Sequence, residues 1–304
     1  MRSGKGAIKS KIADIIDLFV KNGYEVTAHP TQGRGDAVAV VEKTASDHDL
    51  VVCSGGDGTL DETVTGMMRL SKRVPIGYIP TGSTNDFGSS LKIPRNVMKA
   101  AEIAACGENF PCDMGTLIGS GSEKPEENGE DSFVYVAAFG LFTDVSYATS
   151  QQMKNILGHA AYLFEASKIL GKTVPGYAMQ VEVNGDIIED CFSYGMITNS
   201  SSIGGLKDIA GKGVELNDGL FEVTLIREPR NPLELNNILG GLVNLVDSDN
   251  IYAYKTDHIK IRSKDPVAWT LDGEYGGTFQ EVEIRCEKRA IDIRVVDKFL
   301  RKHR

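Results

Sequence analysis

Leu50-Val51-Val52-Cys53-Ser54-Gly55-Gly56-Asp57-Gly58-Thr59 decides how this chain is read. The valine-rich apolar run has the length and composition of a buried strand. Three glycines around an aspartate follow as a loop, and residues 60–70 have the pattern of a helix. Pro75-Ile76-Gly77-Tyr78-Ile79-Pro80-Thr81-Gly82-Ser83-Thr84-Asn85-Asp86-Phe87 repeats the plan. It reads as a strand, a loop of glycine and hydroxyl residues, and a helix start with Asn85 or Asp86 as the cap.

Such a pair of loops suits phosphate. Glycine lets the backbone approach a ligand with no Cβ in the way. Free N–H groups and the dipole of a following helix attract an anion. The hydroxyls of Thr59, Ser83 and Thr84 add donors. Asp57 and Asp86 make sense beside a triphosphate if a Mg²⁺ ion or an incoming hydroxyl lies between. A lone Gly-Gly-Asp-Gly is an ordinary turn more often than a site. Two loops of this kind, each after a strand, shift the balance towards a nucleotide.

At these residues the chain resembles the diacylglycerol kinase catalytic domain, the family of bacterial soluble diacylglycerol kinases, related lipid kinases and sphingosine kinases. NAD kinases and phosphofructokinases carry loops similar to Gly55-Gly56-Asp57-Gly58-Thr59. The Pro80-Thr81-Gly82-Ser83-Thr84-Asn85-Asp86 loop resembles the lipid kinases instead. The resemblance runs from Ser3 to the end of the chain. It implies a Rossmann-like parallel α/β nucleotide-binding domain and a C-terminal antiparallel β-sandwich. It also implies transfer of the γ-phosphate of Mg·ATP to a lipid hydroxyl, with diacylglycerol as the first acceptor to consider. A sphingoid base, ceramide or another glycerolipid stay open. Gly55, Gly56, Asp57, Gly58, Thr59, Leu60, Asp61, Glu62 and Ser83 would position ATP, with Asp57 and Asp86 organising Mg²⁺. Thr31, in the loop after the segment 24–29, would be a further nucleotide contact. Ser3 and Gly4 resemble the tail of the Asn-Pro-x-Ser-Gly-Lys turn that contributes to the family's ATP site. The Asn-Pro of that turn and the strand before it do not occur in this sequence. A relative that binds nucleotide or lipid without catalysis is therefore an alternative, and a NAD kinase is another.

The 304 residues suffice for two domains, and 41% hydrophobic with 25% charged residues is ordinary for a globular chain. A net charge of -9 argues against nucleic acid and gives no general attraction to an anionic membrane. Cys53, Cys106, Cys112, Cys191 and Cys286 are spread out and form no Cys-x-x-Cys, so a disulfide framework or zinc site is not expected. The expectation is a protein of the reducing cytoplasm. No apolar run approaches the length of a membrane span, and residues 238–246, the greasiest piece, fall well short. A lipid acceptor would then be met at the membrane surface. Lys5 and Lys9 near the first helix read first as a solvated face, and Lys154 and Lys168 as flanks of a core-facing helix, with contact to anionic head groups the second reading of both. Pairing of two copies through exposed edges is also compatible with this architecture.

Taken in order, residues 8–20 place Ile8, Ile12, Ile15, Ile16, Phe19 and Val20 on one helical face. A strand over 24–29, a helix over 35–45, the two loops and a helix over 94–104 follow. The alternation implies a parallel sheet, with ligands at the carboxyl ends of its strands. Near Asp113 the character changes to short β-prone segments, among them 133–139, 179–183, 192–198, 220–226, 258–261 and 282–285. Turn signals at Asn184-Gly185, Asn217-Asp218-Gly219 and Asp272-Gly273 divide them. Residues 153–170 and 231–246 read as helices. The expected domains are 1–111 and 112–294, with 295–304 returning to the first, as in the family.

The second domain carries two acidic turns. Asp272-Gly273-Glu274 follows a strand, and the family has an Asp-Gly-Glu here. Asp272 is the candidate base that accepts the alcohol proton as attack occurs, and Glu274 a nucleotide contact. Asp57 competes for the role of base, which sphingosine kinases place there. Gly213-Val214-Glu215-Leu216-Asn217-Asp218-Gly219-Leu220 resembles the turn that holds a structural Mg²⁺ in bacterial members. There Glu215, Asp218 and the Leu220 carbonyl would be the ligands.

Overall fold

The computed structural model describes residues 8–122, 124, 128–140, 176–200, 202–203, 206–207, 213–231, 234, 238 and 250–300. The chain forms two units, residues 1–114 with 288–304 and residues 115–287. Both crossings fall inside strands, β3 (Glu108–Ser120) and β13 (Glu274–Val295). The first unit therefore takes in more of the last strand than the tail from residue 295.

In the first unit, β1 (Val51–Gly55) and β2 (Ile76–Pro80) pair in parallel from Val51↔Ile76 to Gly55↔Pro80. The end of β13 joins β2, also in parallel, through Ile293↔Ile76. The helices are α1 (Ile12–Lys21), α2 (Asp36–Thr44), α3 (Asp57–Met68), α4 (Asp86–Ser90) and α5 (Val97–Cys106). α5 turns Ala100, Ala101, Ala104 and Ala105 inward, and this small-residue face lies close on β2. A Cβ on Gly77 would stand 2.6 Å from that of Ala104, so the strand needs glycine there. A short α6 (Asp297–Leu300) buries Phe299 against Phe110, ring centroids 5.0 Å apart.

Three expectations are corrected here. Residues 24–29 pair with no strand among the described residues, and extended backbone needs a partner to become a strand. Val20 is 55% exposed, while Ile15 and Phe19 carry the buried face of α1. α3 starts at Asp57 with Gly56 as its N-cap, so half of the expected loop is helix.

The second unit is antiparallel. β12 (His258–Leu271) pairs with β13 on one side. On its other side it meets β6 (Tyr177–Val183) along residues 259–263 and β5 (Val136–Gly140) along 269–271. β7 (Asp186–Thr198) closes over both β5 and β6 and continues through β10 (Phe221–Arg227) to β11 (Ile251–Thr256). These ladders form one continuous sheet, and β8 (Ser202–Ile203) pairs with β9 (Leu206–Lys207) in a separate two-stranded one. The strands of the larger sheet share a single core that includes Trp269, Phe139, Phe133, Phe192 and Phe221. The dipeptides Asn184-Gly185 and Asp272-Gly273 are two-residue hairpin turns, with φ of 54° and 86° in the first and 50° and 86° in the second. Both residues at positive φ is the type I′ geometry that matches strand twist. The segment 133–139 is broken rather than a single strand. β4 (Gly129–Phe133) ends, Val134 and Tyr135 bend, and β5 begins. β4 pairs back on β3 from Gly119↔Gly129 to Gly115↔Phe133. The two helices expected at 153–170 and 231–246, with Lys154 and Lys168, lie outside the described residues except for isolated positions of the second.

Candidate active site

The two glycine loops of the first unit are bolted together, backbone to backbone. Thr81 N–H donates to the Gly55 carbonyl at 2.8 Å and carries the β1–β2 ladder one step past the strands. A Cβ added to Gly82 would meet the Gly56 Cα at 2.4 Å. One added to Gly55 would strike the Thr59 side chain at 2.5 Å. These glycines are required by the approach of one loop to the other.

Asn85 holds the second loop shut. Its backbone is left-handed, φ 53°, a conformation asparagine tolerates better than most residues. Its side chain does not cap α4. Instead Oδ1 accepts from Gly82 N–H at 3.0 Å and Nδ2 donates to the Gly82 carbonyl at 2.9 Å. The Asn85 N–H donates to Asp57 Oδ2 at 2.8 Å, which ties the loops at a second point. Tyr78 reaches from β2, its hydroxyl 3.3 Å from Asn85 Oδ1. Burial pushes the Tyr78 hydroxyl pKa far up, and the nearby Asp57 adds to it, so it stays a neutral donor. Arg95 supports the loop from its outer side, donating to the carbonyls of Ser83 at 3.3 Å and Thr84 at 2.7 Å.

Gly58 is different. It lies in the first turn of α3, its φ is not positive, and a Cβ there would meet nothing within 4 Å. The fold does not ask for glycine at this position. The Thr81 Oγ1 is buried and has no hydrogen-bond partner among the described residues. An open helix start and an unused hydroxyl fit a phosphate group, which takes N–H and O–H donors.

The other expected contacts divide. Glu62 accepts from Gly35 N–H at 2.8 Å and Ala37 N–H at 3.2 Å, so it caps α2 and is committed there. Leu60 is in the core and its N–H bonds to the Gly56 carbonyl, which leaves nothing of it for a nucleotide but its place in the helix. Asp61 is half-buried on α3, Thr31 is half-buried in the loop before α2, and Ser83 is exposed. Asp86 is buried at the start of α4. Ser3 and Gly4, and Lys5 with them, lie outside the described residues.

In the second unit Asp272 occupies the first position of its hairpin turn and is buried. Its Oδ2 accepts from Val134 N–H at 2.6 Å, and Oδ1 accepts from Tyr135 and Val136 N–H, both at 2.9 Å. Those are the residues where the chain bends between β4 and β5. The carboxylate supplies the acceptors that the broken strand would otherwise lack, which explains the break. Glu274 is exposed at the start of β13. At the other acidic turn, Asp218 Oδ1 accepts from Leu220 N–H at 2.9 Å. Glu215 is exposed, and Leu220 is half-buried.

Cys53, beneath the first loop on β1, is fully enclosed, and burial pushes its thiol up to about 12. Cys106 at the end of α5 is exposed. Iodoacetamide at neutral pH is expected to label Cys106 in the native protein and to reach Cys53 only after denaturation, since the thiolate is the reactive form. Peptide mapping by mass spectrometry checks this, and native labelling of Cys53 would mean the loop opens.

Known proteins carry the same pattern. Residues 1–117 match the description of the diacylglycerol kinase catalytic domain. A diacylglycerol kinase from Bacillus subtilis (strain 168) is 30% identical to this chain over 90% of its length and 88% of its own. The chain belongs to the diacylglycerol kinase family. With it, the chain belongs to the lipid kinases. A diacylglycerol kinase from Staphylococcus carnosus (strain TM300) is 28% identical over 90% of this chain and 86% of its own. A crystal structure of a diacylglycerol kinase from Bacillus anthracis str. Sterne aligns over 98% of this chain and 95% of that one. Its TM-score is 0.74 at 19% identity, a likeness of fold.

Sequence reasoning named Asp57, Asp86, Asp272 and the glycines, but it missed what holds them. Tyr78, Asn85 as a clamp on Gly82, Thr81 and Arg95 all act on the second loop. A signal was present for Asn85, an asparagine three residues after a glycine in a turn. Nothing local marked Arg95.

Proposed function

We propose that this family member is an ATP-dependent lipid kinase that phosphorylates a lipid hydroxyl, with diacylglycerol as the first acceptor. The observation that carries this reading is the pair of interlocked glycine loops, with Gly58 left open at the start of α3. We read the first unit as the Rossmann-like nucleotide-binding domain and the second, sandwich-like unit as the one that receives the lipid.

The triphosphate is cradled by the N–H groups at the head of α3 and by the second loop, with Gly55, Gly56, Gly58, Thr59, Thr81 and Ser83 around it. Thr31 is its outer contact, with Asp61 further along α3. Asp57 and Asp86 would hold the Mg²⁺ that comes with ATP, which would supply charge neutralisation at the phosphates. Asp272 accepts the lipid hydroxyl proton as the oxygen bonds to the γ-phosphorus and the bond to ADP breaks. The three N–H groups on Asp272 keep its carboxylate oriented for that role. Asp57, already accepting from Asn85, remains the competing base. Among the described residues no helix is long and apolar enough to cross a membrane. We place the meeting with the acceptor at a bilayer surface, with Lys9 among the contacts.

Transfer of label from [γ-³²P]ATP in mixed micelles tests the reading. Diacylglycerol, ceramide, sphingosine, NAD or no acceptor would be offered in Mg²⁺. Label in phosphatidic acid is the expected result. Label in NAD would turn the reading to a dinucleotide kinase. ATP binding without label in any acceptor would leave a non-catalytic binder.

A further inference from the structure

Family resemblance assigns a structural Mg²⁺ to the turn at Glu215, Asp218 and the Leu220 carbonyl, and the residues of this chain do not fit it. We infer that the ammonium of Lys255 is the resident cation of this turn. Lys255 and Glu222 are direct partners across the β10–β11 ladder. Lys255 Nζ lies 3.0 Å from Glu222 Oε1 and 3.9 Å from Asp218 Oδ2. It also donates to the Gly213 carbonyl at 3.4 Å. One side chain thus joins the start of the turn, its centre and the strand that leaves it.

Glu222 cannot give this cation up. Its residue is 7% exposed, and a buried carboxylate needs a paired charge. Its Oε2 has no hydrogen-bond partner among the described residues, so the ammonium on Oε1 is the compensation it has. Strand register holds Lys255 opposite Glu222 and keeps its head group beside Asp218. Mg²⁺ needs oxygen ligands at about 2.0–2.1 Å in near-octahedral array, and it keeps several waters. An ammonium within reach of the same carboxylate blocks that array and repels the ion. Asp218 Oδ1 is meanwhile engaged by Leu220 N–H. Among the described residues no group of three or more His, Cys, Asp or Glu is placed to hold a metal. The inference stands whether or not the acceptor is a lipid, because it concerns the turn and not the glycine loops.

Thermal unfolding of the whole protein without nucleotide, in EDTA and in MgCl₂, tests it on wild type, Asp218→Asn, Lys255→Met and Lys255→Arg. Any Mg²⁺-induced change in Tm is expected to be the same in wild type and Asp218→Asn. Lys255→Met should melt several degrees lower in EDTA, because Glu222 is left buried without its cation. Lys255→Arg should keep most of the wild-type Tm. A Mg²⁺ stabilisation present in wild type and lost in Asp218→Asn overturns the inference. That comparison decides the matter even if Lys255→Met fails to fold. Equal melting of Lys255→Met and wild type in EDTA would also overturn it.

Discussion

Asp272→Asn is expected to slow phosphoryl transfer about 10²–10⁴-fold, the range lost with a general base, while the protein stays folded. The fold tolerates asparagine here for two reasons. Asparagine accepts the left-handed φ of 50° in the turn. Its Oδ1 also keeps the Tyr135 and Val136 N–H bonds, both 2.9 Å in the wild-type protein. The Nδ2 then faces the Val134 N–H that Oδ2 accepts at 2.6 Å, donor against donor. That clash costs about 1–3 kcal/mol, enough to lower Tm and not enough to unfold most proteins. The rate loss is much larger than the stability loss, and the contrast is the test. Rates at saturating ATP and lipid, beside a melt of the same sample, measure both. A wild-type rate in Asp272→Asn would move the proton to Asp57.

The second large effect separates two glycines that look alike in sequence. Gly82→Ala is expected to destabilise by about 3 kcal/mol and to cut activity about 100-fold. Its new Cβ would stand 2.4 Å from Gly56 Cα and 2.8 Å from Asn85 Oδ1. The first of these is backbone and cannot swing away. The loops must part, and a displacement near 1 Å at a phosphate cradle costs roughly two decades in rate. Gly58→Ala should do the opposite to the fold. Its Cβ meets nothing within 4 Å, and alanine in a helix is favoured over glycine by up to about 1 kcal/mol. Tm should hold or rise while the KM for ATP increases, because the methyl stands where a phosphate would approach. Urea unfolding and ATP-dependent kinetics on both variants check this. A Gly58→Ala enzyme with normal KM would remove the nucleotide from the head of α3.

What was legible in the sequence was local chemistry. The glycine loops, the two Asx-Gly hairpin turns and the inward face of α1 each declare themselves within a dozen residues. The strand expected at 24–29 failed because a strand is a pairing, and pairing is not written in the segment itself. The break at Val134 and Tyr135 was invisible for the same reason. Its cause is a carboxylate far along the chain, at Asp272. Of Asn85 and Asp86, the two candidate caps, Asn85 does take the N-cap position of α4, yet its side chain turns back to Gly82. The metal expected at the acidic turn near Asp218 rests on the family resemblance, and the turn itself gives no sign of Lys255, which register on β11 brings opposite Glu222. The candidate residues stand in local motifs, whereas their supports are contacts between distant parts of the chain.

The carboxylate of Glu62 has a consequence for how this unit can vary. It is rooted in α3 and grips the first N–H groups of α2 at Gly35 and Ala37. Further along, a Cβ on Gly66 of α3 would stand 2.8 Å from the Val38 carbonyl of α2. One helix is therefore hooked to the other at its end and pressed against it at its middle. Neither can slide along its axis alone, and a shift of α3 drags the loop that carries Thr31. Substitutions at positions 35, 62 and 66 share one mechanical constraint, so their costs will not add. The chain is free to explore these positions together and not one at a time.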